Sequence, residues 1–128
     1  MGLLLDTHAL LWFAAGDTQL PLRVRVAIHN APGQTWVSAA SAWEIATKVR
    51  LGKLPYTPLA TSFVTRAKAE GFRILGIHAQ DAQEAGNFPG HHGDPFDRML
   101  VAQAFRRGLV LVSNEKIFDQ YGVQRLWS

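Results

Sequence analysis

Cysteine is absent from the 128 residues, which removes disulfides and thiolate metal sites and leaves oxygen and imidazole as the strong metal ligands. The same absence does not fix a redox compartment, although the cytoplasm is compatible with it. Long apolar runs are missing too, and nothing approaches the roughly 18 residues needed to span a bilayer. The opening Met1-Gly2-Leu3-Leu4-Leu5 meets an acid at Asp6, too soon for the apolar core of a signal peptide. A soluble, cytoplasmic chain without a membrane partner is the expectation. Internal repeats, low-complexity tracts and linkers are also lacking, so residues 1–128 read as a single domain, large enough for one core. With 48% hydrophobic and 18% charged residues, the composition is that of a globular protein rather than a disordered one. The net charge of +3 comes from nine arginines and four lysines against ten acids. An arginine-weighted excess suits phosphate, because the guanidinium fork pairs with phosphate oxygens bidentately.

What is present is an alternation of short apolar runs with helical stretches. Gly2 to Leu5 reads as a strand ending in Asp6-Thr7, and His8 to Ala15 as a helix broken by Gly16-Asp17. Leu22 to Asn30 is a second helix, with Pro21 at its first turn. Trp36-Val37 is a buried strand, followed by a helix from Ala39 to Arg50 that Gly52 stops. Leu59 to Glu70 has helical spacing, Phe72 to Gly76 is a strand, and Ala79 to Asn87 another helix. The polar loop Pro89-Gly90-His91-His92-Gly93 leads into a helix from Pro95 to Arg107. Leu109 to Val112 is the clearest buried strand, and Val123 to Trp127 the last. Strands alternating with helices imply a parallel sheet covered on both faces, an α/β/α sandwich. In such a sheet, function gathers beyond the carboxyl ends of the strands.

Four of the ten acids fall at that predicted edge. Asp6 follows the first strand, Glu44 lies in the helix after the second, Asp97 opens the helix before the Leu109 strand, and Glu115 follows that strand. Clustered carboxylates repel and take up protons unless a cation offsets them. Oxygen ligands suit a hard ion such as Mg²⁺ or Mn²⁺. Such an ion can lower the pKa of a water and offset charge on a phosphodiester, so hydrolysis of a nucleic-acid backbone is the natural chemistry.

Each residue also has a plainer reading. Asp6 can cap the first helix. Ser41-Ala42-Trp43-Glu44 fits a capping box; equally, Ser38 can cap, which places Glu44 deeper in the helix. Asp94 before Pro95 is best read as a cap, with Asp97 favoured by the helix dipole. Glu115 can be a solvated loop acid. His91 and His92 read as an exposed loop rather than as contacts to RNA or a metal, and no histidine pair has the spacing of a zinc site. Trp12, Trp36 and Trp43 read as core. Arg98 is open between a carboxylate and a phosphate. Lys48, Arg50 and Lys53 are open between a solvated helix end and an RNA-backbone contact.

The motifs that carry these acids resemble those of PIN-domain ribonucleases, in particular the VapC-like toxins of type II toxin–antitoxin systems. The resembling segments run from Leu5-Asp6-Thr7-His8 to Trp12, from Ser38 through Trp43-Glu44-Ile45 to Leu54, from His91 through Asp94-Pro95-Phe96-Asp97-Arg98 to Ala104, and from Val112-Ser113-Asn114-Glu115 to Trp127. They span nearly the whole chain in the family's order. The resemblance implies a PIN-like fold, with Asp6, Glu44 and Asp97 as ligands to Mg²⁺ or Mn²⁺. Glu115 joins them as a fourth catalytic and metal-binding acid, at a position where the family more often has an aspartate. Thr7, Ser38, Asp94, Arg98 and Ser113 are expected to support them. It implies endonucleolytic RNA cleavage leaving a 5′-phosphate and a 3′-hydroxyl, a small antitoxin that covers the site and binds operator DNA, toxin homodimers and a larger complex. The alternative is a catalytically silent or DNA-directed PIN-like module that works through binding. Two other classes fit poorly. A phosphatase of the haloacid dehalogenase type needs a second aspartate where His8 stands, and a Rossmann domain needs a glycine-rich turn where Thr7-His8-Ala9 lies.

Overall fold

The computed structural model describes residues 2–90 and 93–127, so the expected His91-His92 loop tip lies outside the described residues. Its organising element is β1 (Leu3–Leu5), three leucines buried without exception. Successive strand residues point to opposite faces. Leu3 and Leu5 accordingly enter one core cluster and Leu4 the other. β1 pairs in parallel with β2 (Thr35–Ser38) on one side and β4 (Val110–Val112) on the other. β3 (Arg73–Leu75) extends the sheet past β2, and β5 (Arg125–Leu126) past β4. The order is β3-β2-β1-β4-β5, with every neighbouring pair parallel. The first strand is central, and the chain builds outward on one side before returning to the other. Its switch of direction therefore falls between β1 and β4, beside Asp6.

Helices cover both faces, as a sheet with two apolar sides requires. Leu10 of α1 (Thr7–Ala15), Val24 of α2 (Leu22–His29), Ile45 of α3 (Ala39–Arg50), Leu59 of α4 (Thr57–Thr61) and Phe63 of α5 (Phe63–Ala69) join the Leu3–Leu5 cluster. Leu100, Val101 and Ala104 of α7 (Pro95–Arg107) join Leu4, with Phe118 and Tyr121 of a 3₁₀ turn over Lys116–Tyr121. α6 (Ala79–Asn87) lies on α7. The expected three-layer α/β/α sandwich on a parallel sheet is thus the fold. No helix among the described residues is long and apolar enough to cross a membrane.

α6 and α7 are clipped by a buried acid. Asp81 accepts the His78 backbone amide at 2.9 Å and both terminal nitrogens of Arg107 at 2.9 and 3.0 Å, with Arg106 as a further partner. Burial alone would raise this carboxyl, but Arg107, the His78 amide and Arg106 together lower it to about 2.

Three local expectations differ from what is found. The helical stretch from Leu59 to Glu70 is two helices, interrupted at Ser62 (φ −135°, ψ 41°), and the first begins earlier because Pro58 is tolerated in a first turn. Pro21 precedes α2 instead of opening it. Val123 to Trp127 contributes only a two-residue edge strand, since the preceding chain coils into the 3₁₀ turn that Gly122 ends at φ 76°.

Candidate active site

The carboxyl ends of the parallel strands place four chain segments at one edge. Asp6 leaves β1 and caps α1, its Oδ1 accepting the Ala9 amide at 2.8 Å. The cap does not exhaust the residue, because its side chain also bonds Ser113, which leaves β4. Asp6 is only 5% exposed. Burial pushes its carboxyl up to about 6 against the Ser113 and Ala9 hydrogen bonds, and the charges of Glu115 and Glu44 add to the rise. Asp6, Glu44 and Glu115 therefore share one electrostatic neighbourhood. Ser113 is fully buried and also accepts the Glu115 amide at 3.0 Å, while Glu115 itself is half-buried.

The capping alternatives for α3 resolve in favour of Ser38. Its Oγ accepts the Ala40 amide at 2.9 Å and donates to Oε1 of the buried Gln103 on α7 at 2.6 Å. Glu44 is thereby set deeper in the helix, where it is 3% exposed. Thr7 donates to Glu44 Oε1 at 2.5 Å and lies 3.0 Å from the Ser41 hydroxyl. The other oxygen, Oε2, is paired with the Lys48 ammonium one turn further along α3. Lys48 also feels Asp94 and Asp97. Partial burial disfavours its charge, yet the Glu44 hydrogen bond and the surrounding carboxylates hold its pKa above the ordinary lysine value.

Asp94 caps α7, accepting the Phe96 and Asp97 amides at 2.9 and 3.1 Å. Pro95 follows in the first turn, as does the half-buried Asp97. The open question over Arg98 meets a third answer: its guanidinium donates to the Ala85 carbonyl at 2.8 Å and to the Phe88 carbonyl, tying α7 to the end of α6.

Glu44 thus belongs both to the group around Asp6 and to the group around Lys48. Among the described residues no three acid or imidazole side chains converge as a ready coordination sphere. The donor set nevertheless fits a hard divalent cation: the donors are carboxylate oxygens, Asp6 carries a buried charge whose acidic neighbours raise its carboxyl, and an ammonium already sits among Glu44, Asp94 and Asp97.

Two features escaped the sequence. Lys48 stood there only as part of a basic cluster, although its i, i+4 spacing from Glu44 was the available signal. Trp43 is not core but 62% exposed. α3 buries Ala40, Ser41, Glu44 and Ile45, and helical spacing then turns Trp43 outward. Its ring meets Phe96 edge-on at 4.9 Å, and the pair walls an open cleft of about 260 Å³ with Ala40, Ile77 and Met99. Trp12 and Trp36 are partly buried and pack against the two core clusters.

The PIN-domain family model matches residues 3–124. Ribonuclease VapC22 of Mycobacterium tuberculosis is 30% identical over 114 residues, covering 88% of this chain and 86% of that protein. The crystal structure of VapBC2 from Rickettsia felis bound to a DNA fragment from their promoter aligns with a TM-score of 0.72 at 14% identity, over 100% of both chains. That of DNA-bound VapBC from Salmonella typhimurium aligns with a TM-score of 0.70 at 19% identity, over 98% of this chain and 97% of that one. These two likenesses speak to the fold alone.

Proposed function

The chain belongs to the PIN-domain family, and from that premise we propose that it is a metal-dependent endoribonuclease, a single PIN-like nuclease domain acting in the cytoplasm as the toxin of a toxin–antitoxin pair. The observation that carries the reading is the pair of buried acids, Asp6 and Glu44, with Asp97 and Glu115 from two further elements, all at the carboxyl edge of the sheet. The relative at 30% identity, named a ribonuclease, supports the same direction.

In this reading Asp6, Glu44 and Asp97 hold Mg²⁺ or Mn²⁺, with Glu115 as an auxiliary acid. A cation held there would lower the pKa of a water and offset charge on the phosphodiester. The chain's other residues fix the ligands. Thr7, itself bonded to Ser41, holds one oxygen of Glu44, Ser113 steadies Asp6, and Ser38 and Gln103 lock the start of α3 to α7. Asp94 caps the helix that presents Asp97, and Arg98 anchors that helix to α6. Water attacks phosphorus and the 3′ oxygen leaves, giving a 5′-phosphate and a 3′-hydroxyl.

The RNA substrate is met by two surfaces. Exposed Arg50 and Lys53 at the end of α3 suit the phosphate backbone. The exposed ring of Trp43, held edge-on by Phe96 next in sequence to Asp97, suits stacking of an unpaired base beside the cleaved bond. A small antitoxin protein covers the acidic edge with a basic side chain, and toxin homodimers assemble with it into a larger complex on operator DNA. Two proteins of similar fold are the VapBC and VapBC2 complexes solved with DNA, which supports an antitoxin partner.

The test is to sequence RNA ends after brief expression in cells of wild type and Asp6→Asn. New 5′-phosphate ends at discrete sites, present only with wild type, are expected. Identical ends in both would overturn the nuclease reading.

A further inference from the structure

We propose that Lys48 is a tethered counter-cation that keeps the acidic edge closed in the metal-free protein and has to leave Glu44 before a divalent ion can enter; the proposal rests on the metal-dependent reading above. Both oxygens of Glu44 are engaged, Oε1 by the Thr7 hydroxyl at 2.5 Å and Oε2 by the Lys48 ammonium. Of these partners Thr7 is neutral and fully enclosed, whereas the Lys48 side chain is 29% exposed and has an outlet to solvent. The ammonium also lies within the fields of Asp94 and Asp97, so it offsets carboxylates from two helices at once.

This is not an ordinary solvated i, i+4 pair. Glu44 is nearly inaccessible, and a buried carboxylate left without a partner is strongly disfavoured. A cation beside it offsets that charge, and among the described residues Lys48 is paired with it. An ammonium and a divalent ion cannot both occupy Glu44 Oε2 at close range. Metal entry then requires an exchange, and the apparent affinity is reduced by the fraction of molecules in which Lys48 is away. The flexible four-carbon stem and strong hydration of an ammonium make the displaced state accessible.

The experiment is calorimetric titration of Mn²⁺ into metal-stripped wild type, Lys48→Met and Lys48→Arg, each checked for folding by circular dichroism. Lys48→Met, which keeps the stem and removes the charge, should bind Mn²⁺ about 1.5- to fivefold more tightly than wild type, the range that breaking a partly exposed ion pair converts to. Lys48→Arg should bind no more tightly than wild type. A second measurement needs no variant: acylation of Lys48 in wild type, read by mass spectrometry, should accelerate several-fold when Mn²⁺ saturates the site. Equal or weaker Mn²⁺ binding by Lys48→Met, or unchanged Lys48 reactivity on saturation, would overturn the proposal and leave the nuclease reading standing. Absence of Mn²⁺ binding in both wild type and Lys48→Met would overturn both.

Discussion

Replacing Asp6 by asparagine should destroy RNA cleavage and at the same time stabilise the metal-free protein. Asp6 is 5% exposed, and burial raises its carboxyl from 3.8 to about 6. A carboxyl raised in the folded state binds protons more tightly there than in the unfolded chain. Stability of the metal-free protein therefore falls as pH climbs from about 4 to about 6 and stays lowered above that window. The shift corresponds to about 3 kcal/mol at neutral pH. Asparagine retains an oxygen that can cap α1 at the Ala9 amide and discards the buried charge. Its amide must find its own partner, which reduces the gain, so Asp6→Asn should exceed wild type by about 1–3 kcal/mol at pH 8. A difference of ~2 kcal/mol appears as a rise in Tm of about 5–10 °C for a chain of this size.

Thermal melts of both proteins in EDTA at pH 4 and pH 8 make the comparison. The difference should be large at pH 8 and small at pH 4, where Asp6 is protonated in the folded protein and close to its own midpoint of 3.8 in the unfolded chain. Saturating Mg²⁺ should then reverse the order, since a ligand selective for the native state stabilises wild type alone. A less stable Asp6→Asn at pH 8 in EDTA, or a difference independent of pH, would refute the assignment of Asp6 as a buried charge awaiting a cation.

In cleavage of a defined RNA at saturating Mg²⁺, Glu115→Gln should lose only about 10–100-fold, as outer partners of a metal do, whereas Glu44→Gln and Asp97→Asn should lose several orders of magnitude; equal losses would make Glu115 a direct ligand. Trp43→Ala should raise KM for RNA by about 5- to 100-fold, the loss of one stacked base, with little change in Tm because the ring is 62% exposed; an unchanged KM would remove the stacking role. Asp81→Ala should destabilise by about 2–3 kcal/mol in urea melts by leaving Arg106 and Arg107 without their carboxylate. Because Asp81 is lowered to about 2, its contribution is complete above the unfolded value and is lost as pH falls toward 2, so Asp81→Ala should show no such loss.

The sheet was legible because its strands advertise double-sided burial. Leu3-Leu4-Leu5 and Val110-Leu111-Val112 cannot alternate apolar with polar, and only a sheet covered on both faces accepts such runs. That inference fixed an edge, and the edge collected Asp6, Glu44, Asp97 and Glu115 from segments far apart in sequence. Helix ends were legible where one residue dictates geometry, as at Asp94-Pro95 and at Gly16 and Gly52, whose φ values of 65° and 73° lie where glycine is favoured. The break at Ser62 and the 3₁₀ turn after Glu115 were not, because neither leaves a periodic signature.

The open cap and the misplaced Trp43 of α3 have a common physical source. A helix pattern gives the spacing of a face but leaves its phase to the partners that pack on it. Ser38 and Ser41 were equal as caps until Gln103 of α7 took the Ser38 hydroxyl, a contact across 65 residues of sequence. Once Ser38 is the cap, Ala40, Ser41, Glu44 and Ile45 turn inward and Trp43 turns out. The same phase alters the meaning of the Glu44–Lys48 pair. On a solvated face it contributes a few tenths of a kcal/mol. With Glu44 enclosed and bonded by Thr7 from α1, the lysine becomes the nearest compensation for a buried charge. Spacing alone identified two residues able to meet; burial, a property of the assembled fold, decides that their separation is coupled to whatever cation replaces the ammonium.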